Sequence, residues 1–124
     1  MLSFTAIADK KSLNDLHEAI FGTEYPKDIG YVLQDDGKNV GIASMTVRND
    51  VSTIEKVGVI PEERGKGKGD FFTRSLIFGL SQVSEKVRIS YKSPYFYRFG
   101  FTDDENGMIA ESSKIVFPCG CKEH

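Results

Sequence analysis

The chain has 124 residues, 40% hydrophobic and 27% charged, with nine Phe, five Tyr and no Trp. That length suits one domain, which buries roughly 65% of the surface its unfolded chain exposes. Eighteen acids against sixteen bases give a formal net charge of -2, which argues against intrinsic disorder and against a generic nucleic-acid binder. No apolar run reaches the ~18 residues a membrane span needs. Met1 to Ala8 carries no basic n-region and meets Asp9, Lys10 and Lys11 at once, so the expectation is a soluble, cytoplasmic domain without a signal peptide.

In chain order, Leu2 to Ala8 reads as a strand. Ser12 is expected to cap a helix, with Asp15 three residues on, and Leu13, Leu16, His17 and Ile20 share one helical face. Gly22 to Asp28 is a loop. Tyr31 to Leu33 and Val40 to Val47 form a hairpin turning at Asp35 to Asn39, and Val51 to Ile60 is the third strand of this meander. Phe72, Leu76, Leu80 and Val83 then recur at helical spacing, and Asp70 stands where a helix dipole favours an acid. Val87 to Tyr91 is a strand, Ser93-Pro94 opens a further helix ending at Gly100, and the last strands flank the turn at Asp103 to Gly107. The order predicts an α+β fold with a mixed, mostly antiparallel sheet flanked by helices. Residues 1–117 form the single domain and 118–124 a short C-terminal tail.

Chemistry concentrates at Val57-Gly58-Val59-Ile60-Pro61-Glu62-Glu63-Arg64-Gly65-Lys66-Gly67-Lys68-Gly69, a strand, a glycine-rich turn and a helix start. Glycines let backbone approach a ligand, and the first N–H groups of a helix have no internal partner. The helix dipole adds roughly half a positive charge, and successive N–H groups form a concave nest. Arg64, Lys66 and Lys68 add full charges, so a pyrophosphate is the expected guest. Gly69 after Gly67-Lys68 breaks the P-loop pattern, and the spacing Gly65, Gly67, Gly69 breaks the Rossmann one.

Arg64-x-x-Gly67-x-Gly69 resembles motif A of the GNAT N-acetyltransferase superfamily, and Phe96-Tyr97-Arg98-Phe99-Gly100-Phe101 is similar to its motif B. The resemblance covers roughly residues 1 to 117. It implies a GNAT-like acyl-CoA N-acyltransferase fold, with the strands at Val51 to Ile60 and Val87 to Tyr91 splayed into a wedge. It also implies direct acetyl transfer from acetyl-CoA to an amine, with no metal and no covalent enzyme intermediate. The pantetheine arm would lie against Val57, Gly58 and Val59, and the pyrophosphate on Arg64, Gly65, Lys66, Gly67, Lys68, Gly69 and Asp70. A backbone N–H near Val59 would polarise the thioester carbonyl, and Ser93 would bond a carbonyl of the coenzyme. Glu55, on the same strand face as Val57, is the candidate general base, with a solvent-facing acid paired to a lysine as its plain alternative. The family's phenolic acid falls at Phe96, with Tyr95 and Tyr97 on either side; Tyr97 is the candidate, and a packed aromatic is its alternative.

Cys119, Cys121 and His124 supply too few ligands for a tetrahedral metal site and are read as reduced thiols and a tail histidine. His17 is read as a structural or surface histidine, and Phe71, Phe72 and Phe78 as core positions. The single short helix before the second strand points to an open acceptor site, or to one completed by a partner subunit in a homodimer. The amine stays unnamed: a small amine and an exposed protein amine both fit. A module that holds acyl-CoA without turnover is the competing reading. A nucleic-acid site at the basic loop is set aside because the loop has no interleaved aromatics.

Overall fold

The structure is a computed structural model and describes residues 1–118. The seven strands are β1 (Leu2–Ile7), β2 (Gly30–Asp35), β3 (Lys38–Thr46), β4 (Val51–Val59), β5 (Lys86–Ile89), β6 (Thr102–Asp104) and β7 (Gly107–Glu111). The two α-helices are α1 (Lys10–Phe21) and α2 (Lys68–Val83). The strands form one sheet in the order β1-β2-β3-β4-β5-β7-β6, antiparallel throughout except for the parallel β4–β5 pair. This is the α+β architecture expected from the sequence.

Local chemistry explains the element ends. Asp36 and Gly37 both have positive φ, 51° and 85°, as a two-residue hairpin turn between right-twisted strands requires. The start of α1 differs from expectation: Asp9 is the N-cap, and its carbonyl accepts from Leu13 N at 3.0 Å. Ser12 lies inside the first turn, where its hydroxyl donates to Asp9 Oδ2 at 2.6 Å. A short polar side chain one turn further on satisfied the same pattern, which explains the shift. Gly22 ends α1 in the left-handed conformation, its N–H returning to Glu18 O at 2.9 Å.

Leu13 and Leu16 of α1 and Phe72, Leu76, Ile77 and Leu80 of α2 are buried with Ile42, Ile54 and Val87 of the sheet. Each such side chain contributes about 1.5–3 kcal/mol relative to exposure. Phe71, Phe78 and Val83, expected in the core, are exposed. They lie on the outer arc of α2, because one helix face cannot hold apolar residues at every spacing. His17 is buried, its Nδ1 2.6 Å from Thr23 O. Cys119, Cys121 and His124 lie outside the described residues.

Two departures from regular pairing position the site. Between β3 and β4 the register shifts at Ser44/Met45, so Glu55 is the extra residue of a β-bulge. The β4–β5 ladder runs from Val51↔Lys86 to Ile54↔Ile89 and stops, while β4 continues to Val59. Ser90 closes the end of the ladder, its N–H donating to Ile54 O and its hydroxyl to Glu55 O, both at 3.1 Å. Beyond that point the two strands part.

Candidate functional site

The parting of β4 and β5 leaves a cleft of about 220 Å³. Val57 and Gly58 form its β4 wall; Gly69, Asp70 and Thr73 come from α2; Tyr91, Ser93, Tyr95 and Phe96 come from the segment after β5. Larger hollows lie over β5–β7 and beside Phe4 and Phe78, but this cleft opens on the amino end of α2. There Gly67 is the N-cap with φ +80°, and Gly65 also has φ +80°. Phe71 N is the first to bond back into the helix, to Gly67 O at 3.0 Å, and the N–H groups of residues 65–70 find no acceptor among the described residues. A Cβ built on Gly65, Gly67 or Gly69 meets nothing within 4 Å. These are the properties of an anion cradle, and they fit a pyrophosphate.

The side-chain charges are arranged differently from expectation. Lys68 donates to Asp35 Oδ2 at 2.7 Å and also bonds Glu63, and these two acids hold its ammonium above the usual lysine range. Lys66 lies 3.5 Å from the same Glu63 carboxylate. The ammonium of Lys68 is thus shared between the end of β2 and the loop before α2, and it ties the two together. Arg64 donates through Nε to Val59 O at 3.2 Å, which ties the loop to the end of β4. The donors of the cradle are therefore mainly backbone.

Residues 94–99 form a 3-10 helix, and Ser93 Oγ caps it by accepting from Tyr95 N at 3.4 Å. At three residues per turn, positions three apart eclipse. Phe96 and Phe99 thus both enter the core. Tyr95 and Arg98 stack, with the guanidinium 4.6 Å from the ring centroid. Tyr97 points out, and its hydroxyl donates to Asp103 Oδ1 at 2.8 Å. The structure does not bring Tyr97 into the cleft; Tyr95 lines it instead.

The cleft holds two other phenols. Tyr95 OH donates to Asp70 Oδ1 at 2.5 Å; burial and that carboxylate together push its pKa well up. Tyr91 lies edge-on to Phe96 at 5.8 Å, its hydroxyl has no hydrogen-bond partner among the described residues, and burial raises its pKa. Sequence reasoning missed Tyr91, although its place just past the carboxyl end of a parallel strand is where ligand residues gather.

Glu55 is heavily hydrogen-bonded. Oε1 accepts from Lys27 Nζ at 2.5 Å and Ser44 Oγ at 2.8 Å, and Oε2 accepts from Thr46 Oγ1 at 2.6 Å. Burial pushes its pKa up, but the bonds from Lys27, Thr46 and Ser44 outweigh that and hold it below the usual carboxylate range. Lys27 also donates to Met45 O at 3.0 Å, and so fastens the loop at 22–28 to β3 and β4. Beside it, α1 closes directly on β4: a Cβ on Gly58 would lie 2.9 Å from Ile20 Cγ2 and 3.2 Å from Phe21 Cζ.

Among the described residues there is no cluster of three metal-ligating side chains, and no helix is long and apolar enough to cross a membrane. No curated protein matches the chain. Solved structures do. The chain is similar to the ribosomal-protein-S18-alanine N-acetyltransferase of Escherichia coli, with TM-score 0.69 and 15% identity over 88% of this chain and 91% of that one. It is similar to a GNAT family acetyltransferase of Brucella melitensis in complex with acetyl-CoA, with TM-score 0.70 and 16% identity over 90% and 88%. Naa50 of Arabidopsis thaliana, in complex with the bisubstrate analogue CoA-Ac-MVNAL, gives TM-score 0.68 and 16% identity over 84% and 85%. At such identities these likenesses carry the fold. The model of the acetyltransferase (GNAT) family matches residues 3–101, a span that contains the wedge, the glycine-rich cradle and the aromatic 3-10 helix. On that match the chain belongs to the acetyltransferase (GNAT) family.

Proposed function

We propose that the protein is an N-acetyltransferase that moves the acetyl group of acetyl-CoA directly onto an amine. The observation that carries this reading is the row of unpartnered N–H groups at residues 65–70, opening onto the wedge where β4 leaves β5. Acetyl-CoA, when bound, supplies an acetyl group activated as a thioester. The cradle at Gly65, Lys66, Gly67, Lys68, Gly69 and Asp70 acts through its backbone, with Arg64 beside it. The edge of Val57, Gly58 and Val59 that has lost its strand partner offers backbone groups to the pantetheine amides. We assign an N–H near Val59 to stabilising charge that develops on a carbonyl oxygen, and Ser93 faces the cleft. Holding both reactants in one wedge adds the proximity term.

Of the phenols near the cleft, we assign proton donation toward the departing thiolate to Tyr91. Its hydroxyl has no partner among the described residues, whereas that of Tyr95 is bound to Asp70 and that of Tyr97 to Asp103. Glu55, whose oxygens already accept from Lys27, Ser44 and Thr46, is assigned to holding the acceptor loop rather than to taking the amine proton. The acceptor is an amine of a small molecule or of an exposed peptide; the neighbour named as a ribosomal-protein-S18-alanine N-acetyltransferase and the one bound to CoA-Ac-MVNAL favour the latter. Their similarity to this chain is one of fold, so the class is tested directly.

The test is thiol release from acetyl-CoA across a panel of small amines, lysine-containing peptides and free N-terminal peptides. The reading expects at least one amine to raise thiol release well above hydrolysis. Phe96, at the position where the resemblance places a tyrosine, favours a second reading, an acyl-CoA-binding module without turnover. Saturable acetyl-CoA binding with no amine-dependent release would establish that one instead.

A further inference from the structure

Among the described residues lining the cleft, Asp70 is the only one that carries a charge, and its sign is wrong for an anion site. Both of its oxygens are committed. Oδ1 accepts from Tyr95 OH at 2.5 Å, and Oδ2 accepts from Arg74 Nε at 2.8 Å. Arg74 is fixed in turn: it donates to Pro118 O at 2.5 Å and lies over the Phe99 ring at 5.4 Å. The Tyr95 ring is held at its edges by Phe96 and Phe99, with centroids 5.2 and 5.4 Å away, and on its face by Arg98. The Tyr95–Asp70 bond therefore joins two elements that line the cleft, the first turn of α2 and the 3-10 helix after β5.

We infer that Asp70 is a positioning residue that straps Tyr95 across the wedge. Its negative charge keeps the cleft's affinity for a pyrophosphate-bearing ligand below what the backbone cradle alone would give. The strap fixes the wall that carries Ser93 and Phe96. The charge acts against any anion seated on the N–H groups of residues 65–70, and Arg74, paired with Oδ2 at 2.8 Å, offsets it from the side of α2. Only the second half of the inference rests on the acetyl-CoA reading.

Three variants separate the parts. Asp70→Asn keeps one carbonyl acceptor for the Tyr95 hydroxyl and removes the charge together with the acceptor for Arg74; Asp70→Ala removes all of these; Tyr95→Phe removes only the hydroxyl. Calorimetric titration with CoA and with inorganic pyrophosphate reads the charge. Asp70→Asn is expected to lower both dissociation constants by about three- to tenfold at low salt, a gain that closes as salt rises toward ~1 M. Hydrogen–deuterium exchange across residues 93–99, measured without ligand, reads the strap. Exchange is expected to rise in Tyr95→Phe and Asp70→Ala and to stay at the wild-type rate in Asp70→Asn. Tyr95→Phe leaves the ring packing in place, so it carries the strap test even if Asp70→Ala does not fold.

Weaker pyrophosphate binding in Asp70→Asn would make Asp70 a ligand and overturn the inference. Wild-type exchange in Tyr95→Phe would remove the strap. Wild-type protein that binds pyrophosphate but not CoA would sink the cofactor reading alone, and the exchange data and the pyrophosphate titration would still decide the role of Asp70.

Discussion

Replacing Gly67 by alanine probes the cradle where its geometry is most demanding. Gly67 sits at φ +80° and ψ 0° as the N-cap of α2, and a Cβ built there meets no heavy atom within 4 Å. With no clash to relieve, the cost to folding is the left-handed strain alone, about 1–2 kcal/mol. In a domain of this size each kcal/mol moves Tm by roughly 3–6 °C, so Gly67→Ala should melt about 3–12 °C lower. The effect on ligand is larger. Relief of the strain by rotation toward negative φ swings the neighbouring N–H groups out of the nest, and one hydrogen bond to a charged group contributes about 1.5–3 kcal/mol. Acetyl-CoA affinity should then fall about ten- to a hundredfold. Thermal melting with and without acetyl-CoA, together with calorimetric titration, reads both numbers. Gly79→Ala is the control, because Gly79 lies inside α2 with open space around it. It should gain about 0.5–1 kcal/mol of stability and bind ligand unchanged. Wild-type melting and undiminished binding in Gly67→Ala would refute the argument.

Tyr91→Phe should lower kcat about a hundredfold with KM for acetyl-CoA and Tm unchanged, because its hydroxyl bonds no described residue; unaltered kcat would return the acid role to another group. Gly58→Ala forces Ile20 and Phe21 off β4 and should cost about 1–3 kcal/mol in denaturant unfolding; an unchanged midpoint would contradict that contact. Glu55 is held below its unfolded pKa of about 4.3. Its contribution is whole above that value and is lost as pH falls through the lower folded one. Glu55→Gln should therefore flatten the acid limb of the stability curve between about pH 5 and pH 3, whereas parallel curves would mean the network adds nothing. Lys68→Gln should lower Tm by removing the ammonium that Asp35 and Glu63 share and leave acetyl-CoA affinity within about twofold, since both acids already hold that charge; a large loss of affinity would make it a phosphate ligand after all.

The features legible in the sequence are those written in local chemistry. The meander of β2, β3 and β4, the glycines that need positive φ and the acid in the first turn of α2 each depend on near neighbours. So does the period change that separates strand from helix at Pro61. The parting of β4 from β5 followed from the family resemblance rather than from spacing. What escaped notice depends on tertiary partners. Glu63, five positions before Lys68, could have announced part of its pairing, but Asp35 is 33 positions away and nothing local points to it. A lysine partner for Glu55 is open as an alternative in the sequence, but that it is Lys27, on a loop 28 residues earlier, depends on the bulge at Glu55. The tyrosines are hidden for another reason: helical spacing aims neither Tyr95 nor Tyr97 where the family's phenol would stand, and their places are fixed by partners outside the helix, Asp70 for Tyr95 and Asp103 for Tyr97.

The account stands on the wedge and its backbone cradle holding acetyl-CoA, and equilibrium titration of the purified protein with acetyl-CoA tests that most directly. The expected result is saturable one-to-one binding with a negative heat-capacity change from apolar burial. At ligand near 100 times Kd it should be matched by added stability of about 2.7 kcal/mol. Absence of binding heat and of any Tm shift at millimolar acetyl-CoA would contradict the account.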